Sequence, residues 1–289
     1  MRVYGIDFTS SPGPRKPITC VVATIESGML TVDCLVALES FDVFENLLES
    51  TGPWIAGMDF PFGQPRQLIT ALGWPQSWEA YVRRLDAVTL HDFEVLLKGY
   101  RQGRLPGHRH HLRTADAHAQ ARSPMMLYGV PVGRMFLRGA PRLARSSTSV
   151  LPCRPGDQDR VVVEAYPALV ARRWIGRRSY KSDAPNQQTP VREQARLDIL
   201  RALISPRLEA VYGFRVLFDE VMAAELLVDQ RADELDALLC AIQAAWAYTK
   251  RAEGYGIPAW ADVREGWIVD PATLAAANAT PHLGNHACR

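Results

Sequence analysis

The sequence predicts an α/β fold in which a mixed sheet, with three antiparallel strands followed by parallel strands, is flanked by helices. The first observation is a series of apolar runs with the length and composition of strands, at residues 2–9, 17–26 and 29–38. The second is the dipeptide Ser27-Gly28, which is typical of a hairpin and predicts antiparallel neighbours. The third is an alanine- and leucine-rich segment from Asp233 to Lys250, which contains no glycine or proline and predicts a long helix.

The remaining elements alternate between helix and strand. Helical patterns occur at residues 41–48, 66–72, 77–98 and 168–175 and from Thr189 onwards, and strand patterns at 54–58 and 160–164. Residues 64–158 predict a long, Arg-rich, helical and irregular insertion between the fourth and fifth strands, with weak periodicity over 99–158. Signals are also weak after Thr273, so we expect one domain over residues 1–273 and a mobile tail over 274–289.

The composition supports a folded protein without a strong overall charge. Hydrophobic residues make up 47% of the chain, and 33 basic against 31 acidic residues give a net charge of +2. This balance excludes a polycation that coats nucleic acid. The charge is uneven, however, because residues 101–160 contain 11 Arg, no Lys and 3 Asp. Arginine favours bidentate contacts with phosphate or carboxylate, although a solvated surface would have the same composition.

The chain carries no pattern of secretion or membrane insertion. Its five cysteines are scattered without a CxxC pair, so neither a disulfide framework nor a zinc ribbon is indicated. The N-terminus passes directly into a predicted strand without a signal peptide, and no apolar run is long enough to span a bilayer. We therefore expect a cytoplasmic protein with no membrane partner.

A short motif occurs twice near the N-terminus, as GIDF at residues 5–8 and GMDF at residues 57–60, with the aspartates Asp7 and Asp59 52 positions apart. Each copy ends an apolar run that predicts a buried strand. Because side chains alternate along a strand, the glycine and aspartate of each copy share one face. If these two strands are parallel neighbours, their two carboxylates lie beside two glycines, where no side chain covers the sheet. Paired carboxylates repel unless a proton or a cation intervenes, so the repeat predicts a metal site.

The C-terminal helix offers further acids to the same place. Asp233 and Asp236 lie three positions apart and share a helix face, which continues through small residues as far as Ala244. Small residues would let this helix approach the two glycine surfaces and bring its acids to those of the strands. Glu164 adds a carboxylate at the end of another predicted strand. Such an oxygen-only set predicts a site for Mg²⁺ or Mn²⁺.

Each acid taken singly has another interpretation. Asp7 and Asp59 could accept backbone N–H groups at strand ends, and Asp233 could cap its helix. Glu164 could pair with an arginine of the insertion. The joint occurrence of the repeated motif and the acidic helix is what favours a metal centre.

Four segments together resemble domain-of-unknown-function family 429: GIDFT at 5–9, GMDFPFG at 57–63, VEAYP at 163–167 and DELDA at 233–237. The similarity covers roughly residues 1–270, and that family is described as predicted nucleases of the ribonuclease-H-like fold. The resemblance therefore implies a ribonuclease-H-like sheet. It also implies that Asp7, Asp59 and Asp236 match the three carboxylates of the superfamily's metal centre, with the other two acids as additional candidates.

The leading functional hypothesis is a divalent-metal-dependent nuclease acting on DNA or RNA. Its catalytic residues would be Asp7, Asp59, Glu164 and Asp236, and its metal ligands Asp7, Asp59, Asp233 and Asp236. The cofactor would be Mg²⁺ or Mn²⁺, which can activate water and stabilise the leaving oxygen. Four cations are candidates for binding the phosphodiester substrate: Arg109, Arg113, Arg122 and Lys181.

Two other function classes remain open. The segment from Asp7 to Ser10 also resembles the first phosphate loop of actin-like and sugar-kinase ATPases, although those proteins need further glycine-rich loops and this chain has no Gly-Gly dipeptide. A phosphotransferase would be stabilised by ATP with Mg²⁺. The third hypothesis is a non-catalytic module that binds nucleic acid or a protein through the insertion.

Overall fold

The computed structural model describes residues 1–279, which form one seven-stranded sheet with helices on both faces. The strands are β1 (Arg2–Asp7), β2 (Ile18–Glu26), β3 (Met29–Leu38), β4 (Trp54–Met58), β5 (Thr148–Leu151), β6 (Asp157–Glu164) and β7 (Arg215–Leu217). The α-helices of these residues are α1 (Phe41–Leu48), α2 (Arg66–Ala71), α3 (Trp78–Asp86), α4 (Leu90–Arg101), α5 (Thr114–Ala119), α6 (Val132–Arg145), α7 (Pro167–Ile175), α8 (Pro190–Leu203), α9 (Pro206–Tyr212), α10 (Glu220–Val228), α11 (Asp233–Thr249) and α12 (Pro271–Ala279).

The sheet has the strand order β5-β6-β4-β1-β2-β3-β7. Strands β1, β2 and β3 are antiparallel, whereas β4, β6 and β5 extend the sheet from β1 in parallel. The predicted hairpin forms at Ser27 and Gly28, whose φ angles of 49° and 76° place both residues in the left-handed region. The predicted mixed sheet and its ribonuclease-H-like arrangement are thereby confirmed.

Alternation along the central strands divides the core into two layers. Val3 of β1 and Ile55 of β4 pack with the apolar residues of α11, whereas Tyr4 and Ala56 pack against α1 and the insertion helices on the other face. Asp7, the last residue of β1, keeps the same alternation and lies on the α11 face together with Val3.

Close contact between α11 and the sheet depends on two glycines that lie opposite each other, Gly5 on β1 and Gly57 on β4. A β-carbon at Gly5 would lie 2.0 Å from the carbonyl oxygen of Ala237, and one at Gly57 would lie 2.5 Å from that of Cys240. Any side chain at either position would therefore displace the helix. The predicted approach of a small-residue helix to the two glycine surfaces is confirmed.

The insertion at residues 64–158 is more regular than its sequence indicates. The predicted helices at 66–72 and 77–98 correspond to α2, α3 and α4, but residues 99–158 also contain α5, α6 and the short strand β5. The weak periodicity of that stretch does not reveal these elements, because Gly139 and Pro141 interrupt the helical pattern of α6. Since β5 lies inside the insertion, the strand that ends at Glu164 is the sixth along the chain.

The predicted mobile tail was wrong for residues 274–279, which belong to α12. The helix begins after Asp270, whose carboxylate accepts the backbone N–H of Ala272 at 2.8 Å. Its buried residue Ala277 packs into the core. Residues 280–289, the rest of the expected tail, lie outside the described part of the chain.

No helix among residues 1–279 is both long enough and apolar enough to cross a membrane.

Candidate functional site

Three carboxylates from three separate elements meet at the carboxyl ends of the central parallel strands. Asp7 ends β1, Asp59 directly follows β4, and Asp236 lies in the first turn of α11 with its side chain fully buried. The backbone N–H of Asp59 donates to the carbonyl of Ile6 at 2.9 Å, which joins the two strand ends. The structure thus brings together the three acids that the resemblance implies.

The electrostatics of this acidic cluster (Asp7, Asp59 and Asp236) reflect an excess of negative charge. Burial raises the pKa of Asp7 well above its ordinary value, and the charges of Asp236 and Asp59 raise it further, against the opposing ammonium of Lys181. Burial and the charge of Asp236 likewise raise the pKa of Asp59 to about 7. Within residues 1–279, no hydrogen bond reaches the side chain of Asp7 or Asp59.

Asp236 has two strong partners. The hydroxyl of Tyr180 donates to its Oδ1 at 2.6 Å, and the Nζ of Lys181 forms an ion pair with its Oδ2. Burial acts to lower the pKa of Lys181, but Asp236 outweighs this and holds it well above its usual range. Lys181 was predicted to bind substrate, and its side chain, 41% exposed, lies at the cluster in a position to do so.

Asp233 lies at the margin of the cluster. Its side chain is 14% exposed and approaches Arg231 at 3.8 Å, and its charge contributes to the raised pKa of Asp7. The structure therefore places Asp233 near the other acids without a contact among them.

The hydrogen-bond partners of Glu164 lie outside the acidic cluster. Arg113 donates to both of its carboxylate oxygens, at 2.6 and 2.8 Å, and the backbone N–H of Phe62 donates to one of them at 2.9 Å. The register pairs Glu164 with Met58 and not with Gly57, so alternation directs it away from the α11 face. The structure supports the alternative interpretation, in which Glu164 pairs with an arginine of the insertion.

The guanidinium of Arg113 is the centre of a buried network with Asp116, Glu164 and Glu265. It is 2% exposed and binds both oxygens of Asp116 as well as the backbone carbonyl of Glu265. The carboxylate of Glu265 accepts the backbone N–H groups of Arg66 and Thr114. Arg113 was predicted to bind substrate, but with all of these contacts made inside the protein it has no free donor face for a phosphate.

A cleft of about 190 Å³ opens beside the acidic cluster. Asp59, Asp236 and Lys181 contribute to its lining, and Arg122 contributes a further cation. Much of the wall is apolar, from Pro61, Val130, Val132, Met135, Pro167 and Ile268. The ring of Tyr166 also lines the cleft, and its hydroxyl accepts a hydrogen bond from Arg172 at 2.9 Å.

The two remaining predicted cations occupy different places. Arg122 is exposed and lines the cleft, and its role in binding substrate stays a prediction. Arg109 lines a separate basic hollow with Lys98, Arg101 and His110, and its Nε donates to the carbonyl of Arg104 at 2.9 Å. The structure does not bring Arg109 to the carboxylates.

The acidic cluster suits the chemistry of Mg²⁺ or Mn²⁺, because these ions prefer oxygen ligands and only one of the three carboxylates, Asp236, has a cationic partner. Among residues 1–279, no group of three or more His, Cys, Asp or Glu side chains is already drawn to the spacing of a metal site. Repulsion between the carboxylates and the ion pair of Asp236 with Lys181 both oppose a closer approach.

Sequence reasoning missed several residues of the site. Asp116 lies three positions after Arg113 on the first turn of α5, and this spacing could have indicated the pair. Tyr180 directly precedes a residue already singled out. Glu265 had no local signal, because it lies 152 positions from the arginine that binds its carbonyl.

Fold and site first define a class: an α/β protein with a ribonuclease-H-like sheet and an acidic cluster at the ends of its central parallel strands. Residues 5–260 match the family described as protein of unknown function (DUF429), and the chain belongs to that family. No curated protein matches the chain significantly, and neither does any solved structure.

Proposed function

We propose that the protein is a divalent-metal-dependent hydrolase of phosphodiester bonds in nucleic acid. The observation that carries the proposal is the convergence of three carboxylates, Asp7, Asp59 and Asp236. The positive charge of Lys181 balances their negative charge only in part. Buried like charges are costly, and clusters of perturbed carboxylates in a cleft are typical of functional sites.

The roles of the residues follow from their positions. Asp7, Asp59 and Asp236 would hold Mg²⁺ or Mn²⁺, with Asp233 close enough to add negative charge. The bound ion would lower the pKa of a water molecule and stabilise charge on the phosphate. Lys181 and Arg122 both line the cleft, so their charges would bind the phosphate oxygens there.

Arg113 and Glu164 are assigned a positioning role. Their ion pair joins the insertion to the end of β6, and Glu164 also binds the backbone N–H of Phe62, three residues after Asp59. The pair thereby fixes the loop that carries Asp59 beside the cleft.

The test combines metal binding with cleavage. Calorimetric titration with Mn²⁺ should show binding to the wild type and loss of binding in Asp7→Asn and Asp236→Asn. Single-stranded, duplex, hybrid and branched substrates should be cleaved only with Mg²⁺ or Mn²⁺, and the same two variants should be inactive. Asp159→Asn, an exposed position on β6, is the matched control. Cleavage that persists in both site variants would refute the assignment.

One observation favours a second candidate, a non-catalytic binding module of the same fold. Lys181 already supplies a cation to Asp236, as a resident lysine would if it replaced a metal ion. This candidate predicts salt-dependent binding of nucleic acid that is unchanged in EDTA, with no cleavage under any metal condition.

A further inference from the structure

A second hollow adjoins the cleft. It has a volume of about 470 Å³, lies at the C-terminal end of α7 and shares Ala168 and Tyr180 with the lining of the cleft. Three arginines line it, Arg172, Arg177 and Arg178, and no acidic residue of the described chain does so. A mainly apolar cavity and a cationic one therefore share one wall.

Two of these arginines keep their charge available. Arg177 is exposed and makes no hydrogen bond or ion pair within residues 1–279. Arg172 donates to two backbone carbonyls and to the hydroxyl of Tyr166, none of which is charged. Arg178, by contrast, pairs with Asp198 at 2.8 Å. The hollow thus offers positive charge to an external anion.

The cleft itself is suited to a flat apolar group. Its wall contains the ring of Tyr166, which Arg172 holds in place, and the apolar side chains of Pro61, Met135 and Ile268. Aromatic side chains stack with nucleobases of any sequence, and arginines beside them follow the phosphates of a single strand. Arg122, exposed and without an ion pair in the described chain, provides a third such cation at the cleft.

We infer that the cleft and the arginine-lined hollow together bind single-stranded nucleic acid, with one unpaired base in the cleft and neighbouring phosphates along Arg122, Arg172 and Arg177. The inference rests on the proposed function, because it takes nucleic acid as the substrate. It adds that this nucleic acid is single-stranded. A paired base is stacked inside a duplex and must leave the stack to enter a pocket of this kind. The acidic cluster then faces the backbone next to the bound base.

The experiment measures binding in EDTA by fluorescence anisotropy, so that it does not depend on metal. The ligands are a labelled single strand, the blunt duplex of the same sequence, and a single strand in which the bases are replaced by abasic residues. We expect the intact single strand to bind at least about fivefold more tightly than either of the others, because a stacked base contributes at least this much.

Charge reversal tests the proposed contacts between these arginines and the phosphates. Arg177→Glu and Arg122→Glu should weaken binding of the single strand and reduce the dependence of affinity on salt concentration. Arg2→Glu is the matched control, since Arg2 is exposed at the opposite end of β1 from Asp7. Equal weakening by Arg2→Glu would overturn the assignment of the arginines.

Filling the cleft tests the base pocket. Val132 lines the cleft but not the hollow, so Val132→Trp, checked by circular dichroism for folding, should weaken binding of the intact strand while leaving the abasic strand unaffected. Equal affinity for single strand, duplex and abasic strand, or no binding of any of them, would overturn the inference. Metal-dependent cleavage of any of the nucleic-acid substrates named above would in that case leave the proposed hydrolase standing. Strand-selective binding without cleavage would leave the inference standing and refute the hydrolase.

Discussion

Two groups of acids, one fully buried and one partly buried, lie close together in this protein and differ in how their charge is balanced. In the network around Arg113, two carboxylates bind the guanidinium and Glu265 accepts two backbone N–H groups. In the acidic cluster, Asp7 and Asp59 have no hydrogen-bond partner for their side chains among the described residues, and Asp236 alone has an ion pair.

The difference separates a network that stabilises the fold from the cluster for which we propose a metal-binding role. Fully satisfied polar networks specify one arrangement of the chain, and the Arg113 network joins α5, β6 and the segment before α12. A cluster of under-compensated carboxylates is unfavourable for folding, and this is the reason for proposing that it binds a cation. Residue type alone does not distinguish the two groups, but hydrogen-bond partners do.

The largest expected effect comes from breaking the compensated network. Arg113→Met should lower the free energy of unfolding by about 3–5 kcal/mol, because it leaves buried carboxylates without their cation. Chemical denaturation measures the change. Arg122→Met, an exposed arginine of the same insertion, should change stability by less than about 0.5 kcal/mol. Similar values for both variants would contradict the comparison.

A smaller loss should follow from separating the two sides of the acidic cluster. Gly5→Ala should cost about 1–3 kcal/mol, since the new methyl group would lie 2.0 Å from the carbonyl oxygen of Ala237 and α11 would have to move. Thermal denaturation and Mn²⁺ titration should both report the change. Gly99→Ala on α4 is the control, because a methyl group there meets no atom within 4 Å. A wild-type Mn²⁺ affinity in Gly5→Ala would contradict the role of the glycine contact.

Removing one charge from the cluster should stabilise the metal-free protein. Asp59→Asn should raise the free energy of unfolding at pH 8 by about 1–2 kcal/mol, less than the full pKa shift gives, because the side chain is partly exposed.

The raised pKa of Asp59 determines how its contribution to the free energy of unfolding changes with pH. A carboxyl whose pKa is raised from 3.8 to about 7 contributes stability that is present at low pH and is lost as pH rises through about 7. The free energy of unfolding of the wild type should therefore fall between about pH 4 and 7 because of Asp59. Asp59→Asn should not show this part of the decrease. A steeper loss in the variant than in the wild type, measured by denaturation across this range, would be incompatible with the raised pKa.

The smallest change in stability should come from Lys181→Met. Its side chain is 41% exposed and the hydroxyl of Tyr180 still donates to the buried Asp236, so loss of the ion pair should cost only about 1 kcal/mol. Removal of the competing ammonium should tighten Mn²⁺ binding in calorimetric titration. Lys181→Arg, which keeps the charge, should bind Mn²⁺ as the wild type does. Weaker Mn²⁺ binding in Lys181→Met would show that the lysine supports the ion and does not compete with it.

Local patterns determined much of the sheet and the placement of its first two acids. The alternation of side chains in GIDF and GMDF, together with the small residues of α11, was sufficient to predict that Asp7, Asp59 and Asp236 converge. These features depend on strand and helix periodicity, which is a property of a few neighbouring residues.

The role of Glu164, the burial of Arg113 and the contribution of Glu265 were decided only by tertiary structure. Whether Glu164 shares a face with the other acids depends on the register of β6 against β4, and a shift of one residue would reverse it. The contacts of Arg113 join segments 51 and 152 positions away in the chain. No local pattern encodes such pairings, because they form only when the insertion packs against the end of the sheet.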